Sequence, residues 1–255
     1  MTDLAQQLWQ ARRTGTVLDA EAIPPPSTME EAYAIQACIA SLSGQRIRGF
    51  KIGSTSAEAQ LLLGTDRPGS GPLLDGFIHE SPAKVALTPQ HMPAVEAEFA
   101  YRLGRNLPPK STPYTRDDVI AAVAALAPAI EVVGSRFAGG LAGKGRFRIT
   151  ADGGANIAFI AGPWQENSPG RDLRQHAASM HINEKVHGAG TGSRVLGDPL
   201  EALVWIAEQQ SRAGRGLFAG EIISTGTCTG VDRVHPGDRV TADFGTLGTV
   251  DVEFT

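Results

Sequence analysis

Three glutamates interrupt runs of small and apolar residues. Glu96 and Glu98 lie in Pro93-Ala94-Val95-Glu96-Ala97-Glu98-Phe99-Ala100, and Glu131 in Ala127-Pro128-Ala129-Ile130-Glu131-Val132-Val133. On a strand, residues two apart share a face, so Glu96 and Glu98 project together while Val95, Ala97 and Phe99 face a core. Like charges side by side repel unless something positive lies between them. A carboxylate among apolar neighbours is costly unless it meets a cation, a basic partner or a proton. Solvent-facing edge strands, or pairing with Arg102 and Arg136, satisfy the same spacing. Taken together, the three suit a hard divalent cation with oxygen ligands, Mg2+ or Mn2+ rather than zinc.

The elements that must position these acids are legible in outline. Leu4 to Arg13 is amphipathic, and Ile23-Pro24-Pro25-Pro26 breaks the chain. Ser27 with Glu30 forms a capping box for a helix ending near Gly44. Arg48 to Gly53 is a short strand, and Thr55 with Glu58 a second box, its helix ending at Gly64. A turn-rich segment, Asp66 to Pro72, follows. From His79 the pattern changes to short strands: Val95–Tyr101, Ala129–Val133 and Ile157–Ala161. Thr115 caps a helix over Asp117–Leu126. Asp198 caps another, with Pro199 first, that stops at Gly214. Asp238 to Phe254 alternates as a hairpin around Gly245 to Gly248.

Composition sets the class. The 30 glycines and 16 prolines, spread along the chain, call for many turns and so a strand-rich body. A net charge of -4 with no long basic run argues against nucleic acid as partner. No stretch approaches the ~20 apolar residues of a membrane helix, and Met1 to Gln10 has no apolar run of the secretory type. Cys38 and Cys228 are isolated, which excludes a disulfide framework and fits a reducing cytoplasm.

Several of these residues together resemble the 2-keto-4-pentenoate hydratase family, a branch of the fumarylacetoacetate hydrolase superfamily. Gly49-Phe50-Lys51-Ile52-Gly53-Ser54-Thr55-Ser56, with Gln60, Leu63-Gly64, Gly71 and Leu73, is similar to its N-terminal motif. Val95–Ala100 resembles its paired-glutamate strand, and Pro128 to Arg136 its third-ligand strand. Val195 to Pro199, Ile223 to Gly226, and Pro236-Gly237-Asp238 leading to Leu247-Gly248 follow in the family's order.

The resemblance implies an α+β protein, a mixed β-roll over residues 76–255 with a small helical portion over 1–75. It implies a Mg2+ or Mn2+ site on Glu96, Glu98 and Glu131, a catalytic Lys51, and substrate contacts from Ser54, Arg136, Asp152, Thr225 and Gly226. The partners it implies are a small 2-oxo acid, further copies of the chain, and a sister pathway enzyme. The activity it implies is a lyase adding water to a 2-hydroxy-2,4-dienoate. The alternatives are decarboxylation of a 2-oxo-3-enedioate, C–C hydrolysis of an acylpyruvate, and a non-catalytic scaffold.

The chain departs from the family twice. Gly69 stands where the hydratases carry an acid. After Arg136 comes Gly139 to Arg148 and then Ala151-Asp152-Gly153-Gly154, in place of an Ala-Asp-Asn-Ala-Ser-like run. Lys144, Arg146 and Arg148 form either a solvated basic loop or a place where one cation binds a second carboxylate, which would favour decarboxylation.

Overall fold

The structure, a computed structural model, describes residues 2–63, 65–166 and 170–255. The N-terminal elements are α1 (Thr2–Thr14), α2 (Met29–Ser43), β1 (Ile47–Gly53), α3 (Ala57–Leu63) and β2 (Gly69–Leu74). Next come β3 (Ile78–Glu80), β4 (Ala83–Val85), β5 (Ala94–Leu103), α4 (Arg116–Ala122), β6 (Val123–Val133), α5 (Gly145–Ala151), β7 (Asn156–Ala161) and β8 (Gln165–Glu166). The chain ends with β9 (Ala177–Ile182), β10 (Lys185–Thr191), α6 (Pro199–Arg212), β11 (Ile222–Thr227), β12 (Asp232–Arg233), β13 (Arg239–Asp243) and β14 (Thr249–Phe254).

Among the described residues the strands form two mixed sheets, an α+β architecture. Nine strands run β2-β1-β11-β5-β6-β7-β3, with β12 also on β5 and β8 also on β6; five run β10-β9-β13-β14-β4. The sheets enclose one large apolar cluster that includes Phe99, Ile130, Met180, Phe244 and Val252, onto which α6 lays Leu200, Leu203 and Ile206. Phe99 meets Phe244 edge to face at 5.1 Å. Burying each such side chain stabilises by roughly 1.5–3 kcal/mol. Because side chains alternate along β5, packing Val95, Ala97 and Phe99 inward dictates that Glu96 and Glu98 share the other face.

The helical character of the first 75 residues is confined to α1, α2 and α3. β1 and β2 join the main sheet, with β1 parallel to β11 and antiparallel to β2. Arg12 ties α1 to that sheet, donating to the carbonyls of Asn156 and Ile157 at 2.6 and 2.7 Å while lying over the Phe77 ring.

Local signals shifted where the backbone decided otherwise. The first capping box falls one residue later than expected: Thr28, the residue with extended backbone, accepts from the Glu31 amide, and Glu31 accepts from Ser27. At α3 the cap is Ser56, which accepts from the Ala59 amide, because Thr55 is buried against Gly226. The stop expected at Gly64 lies outside the described residues. The helix expected to reach Leu126 ends at Ala122, since Val123, Ala125 and Leu126 pair with β5 instead. Pro128 does not break β6. On its outer side β8 pairs with Ala125 and Leu126 and β7 begins at Ala129, so proline sits where no donor is required.

Candidate active site

Lys51 and the three glutamates come from three strands, β1, β5 and β6, with β11 lying between the first two. Glu96 and Glu131 stand opposite each other in the β5–β6 pairing, and Lys51 pairs with Ser224 across β1–β11. One oxygen of each glutamate lies within 4.8 Å of the others, the one such group of acids, histidines or cysteines among the described residues. Glu98 and Glu131 are fully buried, Glu96 half-buried, and Lys51 Nζ lies 3.1 Å from Glu131 Oε2.

The electrostatics are those of a crowded anionic cage. Burial pushes the Glu96 carboxyl up to about 7, with Lys51 opposing the shift and Glu131 adding to it. Burial, then Glu131 and Glu96, raise Glu98 well above the usual carboxylate range. For Lys51, desolvation favours the neutral amine, but the Glu131, Glu96 and Glu98 charges together outweigh it and raise the ammonium above its ordinary value.

Two buried oxygens, Glu98 Oε1 and Glu131 Oε2, have no hydrogen-bond donor; the Lys51 ammonium is an ion-pair partner of the latter without the direction of a hydrogen bond. With all three carboxylates ionised, as a bound cation would require, one ammonium leaves two negative charges to be met, the charge of one divalent ion. Orphaned oxygens and charge deficit both fit a hard divalent cation.

The other carboxylate oxygens are fixed by the protein. Glu98 Oε2 accepts from the Ser224 hydroxyl and, at 2.9 Å, from the Gly226 amide. This geometry depends on a β-bulge. β11 advances three residues, Ser224 to Thr227, while β5 advances two, Ala100 to Glu98, and the extra residue turns the Gly226 N–H onto Glu98. Only glycine fits there, with φ 108° and a β-carbon that would lie 2.1 Å from Thr55 Oγ1.

Glu131 Oε1 accepts from Asn156 Nδ2 at 3.0 Å. Asn156 is the functional candidate that the sequence reading missed. Its distance from Asp152, across Gly153-Gly154-Ala155, hid it; its place as the polar first residue before an apolar strand was the available signal.

Thr225, Gly226, Arg136 and Asp152 were expected at the substrate; each has a partner within the protein, and the cavity beside the glutamates is lined by other residues. The Thr225 hydroxyl donates to the Phe99 carbonyl, and Gly226 serves Glu98. Arg136 and Asp152 are buried partners: Arg136 Nε and its own amide donate to the Asp152 carboxylate, and Nη1 donates to the Asn156 carbonyl at 3.0 Å. They clamp the turn that delivers Asn156.

The cavity, of about 210 Å3, has Lys51, Ser54 and Glu96 at its polar end and Val133, Leu141 and Ile149 on its walls. Gly69 and Thr150 line it together, and a β-carbon on Gly69 would meet only Thr150 Oγ1, at 3.7 Å, so the room an acid would fill is open. Gly71 packs against Gly153, whose carbonyl would lie 2.2 Å from a Gly71 β-carbon, and so closes the turn before β7 over Lys51. Of the basic segment, Arg146 lines the cavity and Lys144 and Arg148 do not.

The profile of the fumarylacetoacetate (FAA) hydrolase C-terminal family matches residues 77–255. The chain is 34% identical to a 2-keto-4-pentenoate hydratase of Paraburkholderia xenovorans (strain LB400), over 99% of this chain and 94% of that one. It is 33% identical to a 2-hydroxyhexa-2,4-dienoate hydratase of Comamonas testosteroni, over 98% and 96%. Among solved structures, a 4-oxalocrotonate decarboxylase from Pseudomonas putida G7, complexed with magnesium and adipate, superposes with a TM-score of 0.90 at 28% identity, covering 100% of this chain and 97% of that one. A fumarylpyruvate hydrolase from Pseudomonas aeruginosa shares the fold alone, with a TM-score of 0.63 at 15% identity over 83% of this chain and 91% of that one. The matching profile and the full-length identity to the hydratases make this chain a member of the 2-keto-4-pentenoate hydratase family, within the fumarylacetoacetate hydrolase superfamily.

Proposed function

We propose that the protein is a divalent-metal-dependent lyase that adds water to a 2-hydroxy-2,4-dienoate, giving a 4-hydroxy-2-oxo acid. The observation that carries this reading is the buried trio Glu96, Glu98 and Glu131 facing Lys51 at the polar end of a cavity with apolar walls. Names of relatives support it: two are hydratases of such dienoates, and solved neighbours hold magnesium or manganese.

Glu96, Glu98 and Glu131 would hold Mg2+ or Mn2+, which supplies a Lewis acid for the carboxylate and 2-oxo oxygens of the substrate. Ser224 and Gly226 fix Glu98, and Asn156 fixes Glu131, so both carboxylates keep their orientation. Lys51 is the one ammonium among the lining residues; it can steady an enolate oxygen and return a proton to carbon. Ser54 lines the same end in the left-handed backbone region, φ 57°, and faces the substrate head. Val133, Leu141 and Ile149 exclude bulk water from the hydrocarbon. In hydration, C5 takes a proton as the 2-hydroxyl gives one up, which yields the 2-oxo-3-enoate; water then adds its oxygen at C4 and a proton at C3, leaving the 4-hydroxy-2-oxo acid.

A second reading, decarboxylation of a 2-oxo-3-enedioate, uses the same electron sink: the C–CO2 bond breaks, its electron pair enters the dienolate, and CO2 leaves. Gly69 favours it, because losing CO2 needs no acid to orient water. Self-association and a complex with a sister enzyme belong to the same proposal, as does a cytoplasmic setting; among the described residues no helix is long and apolar enough to cross a membrane. Light scattering on the purified protein, alone and mixed with the candidate sister enzyme, checks the assembly.

The test offers purified protein with Mn2+ 2-hydroxypenta-2,4-dienoate and, separately, 2-oxohex-3-enedioate, with ultraviolet detection and product mass. Gain of one water on the first is the expected result. Loss of CO2 from the second, without hydration of the first, moves the protein to the decarboxylases, and inertness toward both refutes the lyase.

A further inference from the structure

The end of the cavity away from Lys51 is cationic. Met29, Arg67, Pro68 and Arg146 line both the cavity and the wider groove outside it, so they form the neck between the carboxylate cluster and solvent. Arg67 is already engaged, its Nε and Nη2 donating to Asp66 at 2.9 and 3.2 Å.

Arg146 is not. Its Nε meets the Met29 thioether at 3.3 Å, a weak acceptor, and its Nη1 comes no closer than 3.9 Å to Asp66. Among the described residues neither terminal nitrogen has a hydrogen-bond acceptor, although the side chain is only 24% exposed. Its guanidinium carbon lies 5.5 Å from the centre of the Phe147 ring, and its planar fork, which matches a carboxylate, holds none among the described residues within hydrogen-bond distance. The neighbouring Arg148 differs, donating to the Ala20 and Ile23 carbonyls at 2.7 and 2.8 Å.

From inside outward the cavity presents a charged end that suits a 2-oxo acid head, an apolar middle, and Arg146. We propose that Arg146, with Arg67 beside it, binds the distal carboxylate of a diacid, so that the substrate class is a 2-oxo or 2-hydroxydienoate carrying a second carboxylate at its tail. The assignment rests on the reading of the inner end as a 2-oxo acid site, and it holds for hydration and decarboxylation alike.

Calorimetric titration with saturating Mn2+ separates the two readings. The ligands are 2-oxoadipate and 2-oxohexanoate, which have the same chain length and differ in ending on a carboxylate or a methyl group. The unmodified protein binds 2-oxoadipate tighter by about tenfold or more. Arg146→Ala brings the two Kd values within about twofold of each other, Arg146→Lys keeps part of the preference because it keeps charge without the fork, and Lys144→Ala leaves the ratio unchanged. Equal binding of both acids by the unmodified protein overturns the diacid assignment and leaves the 2-oxo acid site standing. Binding of neither removes that site and the assignment with it. A preference that survives Arg146→Ala shows that another group holds the tail.

Discussion

Replacing Asn156 with alanine removes the side-chain donor to Glu131 Oε1 while leaving the residue's backbone in place. Both groups are buried, Asn156 at 3% exposure and Glu131 at 0%, so water cannot substitute for the lost 3.0 Å contact. The Asn156 carbonyl still accepts from Arg12 and Arg136, which keeps the start of β7 anchored. A hydrogen bond to a charged group contributes about 1.5–3 kcal/mol. If that energy serves to aim Glu131 at the cation, losing it weakens Mn2+ binding by roughly 10–100-fold, at about 1.4 kcal/mol per tenfold. The assay is calorimetric Mn2+ titration of Asn156→Ala beside the unmodified protein, with far-ultraviolet circular dichroism to show that the fold is retained. A folded variant whose Mn2+ Kd stays within about twofold of the original would refute the claim that Asn156 orients Glu131.

Mn2+ at a hundredfold excess over its Kd stabilises the folded state by about 2.7 kcal/mol, or roughly 5–10 °C in Tm for a chain of this size, and Glu98→Gln loses most of that shift. Scanning calorimetry with and without the ion decides it, and an unchanged Tm on Mn2+ addition to the unmodified protein speaks against the carboxylate cage. Gly226→Ala destabilises by more than about 3 kcal/mol, because its β-carbon meets Thr55 Oγ1 at 2.1 Å in a backbone region that alanine avoids. Urea unfolding measures this, and Thr55→Ala in the same chain recovers only part of the loss, since Thr55 Cβ itself would remain 2.9 Å away. Arg12→Met keeps an aliphatic chain over Phe77 but removes both hydrogen bonds to β7, so hydrogen exchange rises in α1 ahead of the rest of the molecule. Uniform exchange across the chain would show that Arg12 is not the tether.

The carboxylate trio was legible because each acid broke an apolar strand, and a period of two leaves only one face for Glu96 and Glu98. Lys51 was legible only through the resemblance, since a single lysine after an apolar residue has no pattern of its own. The contacts around the trio were not legible. The bulge that turns Gly226 onto Glu98 appears only in the offset between β5 and β11 registers, and no local propensity encodes an offset between strands far apart in sequence. Asn156 was hidden for a similar reason: its role depends on a glycine turn that sets a polar residue opposite Val133, within hydrogen-bond reach of Glu131. The strand read over Ala129–Val133 extends back to Val123, because Val123, Ala125 and Leu126, read as helix, pair with β5.

β1 lies inside the main sheet, and this has a consequence for how such a pocket diversifies. The carboxylates all fall within residues 77–255, whereas Lys51, Ser54 and Gly69 arrive on the preceding segment, inserted alongside β11. Cage and reagent therefore travel on separate stretches of one polypeptide. Recombination upstream of residue 77 can exchange the proposed proton carrier and the cavity roof while the carboxylate cluster stays intact, and a new reaction can be acquired without rebuilding the old site.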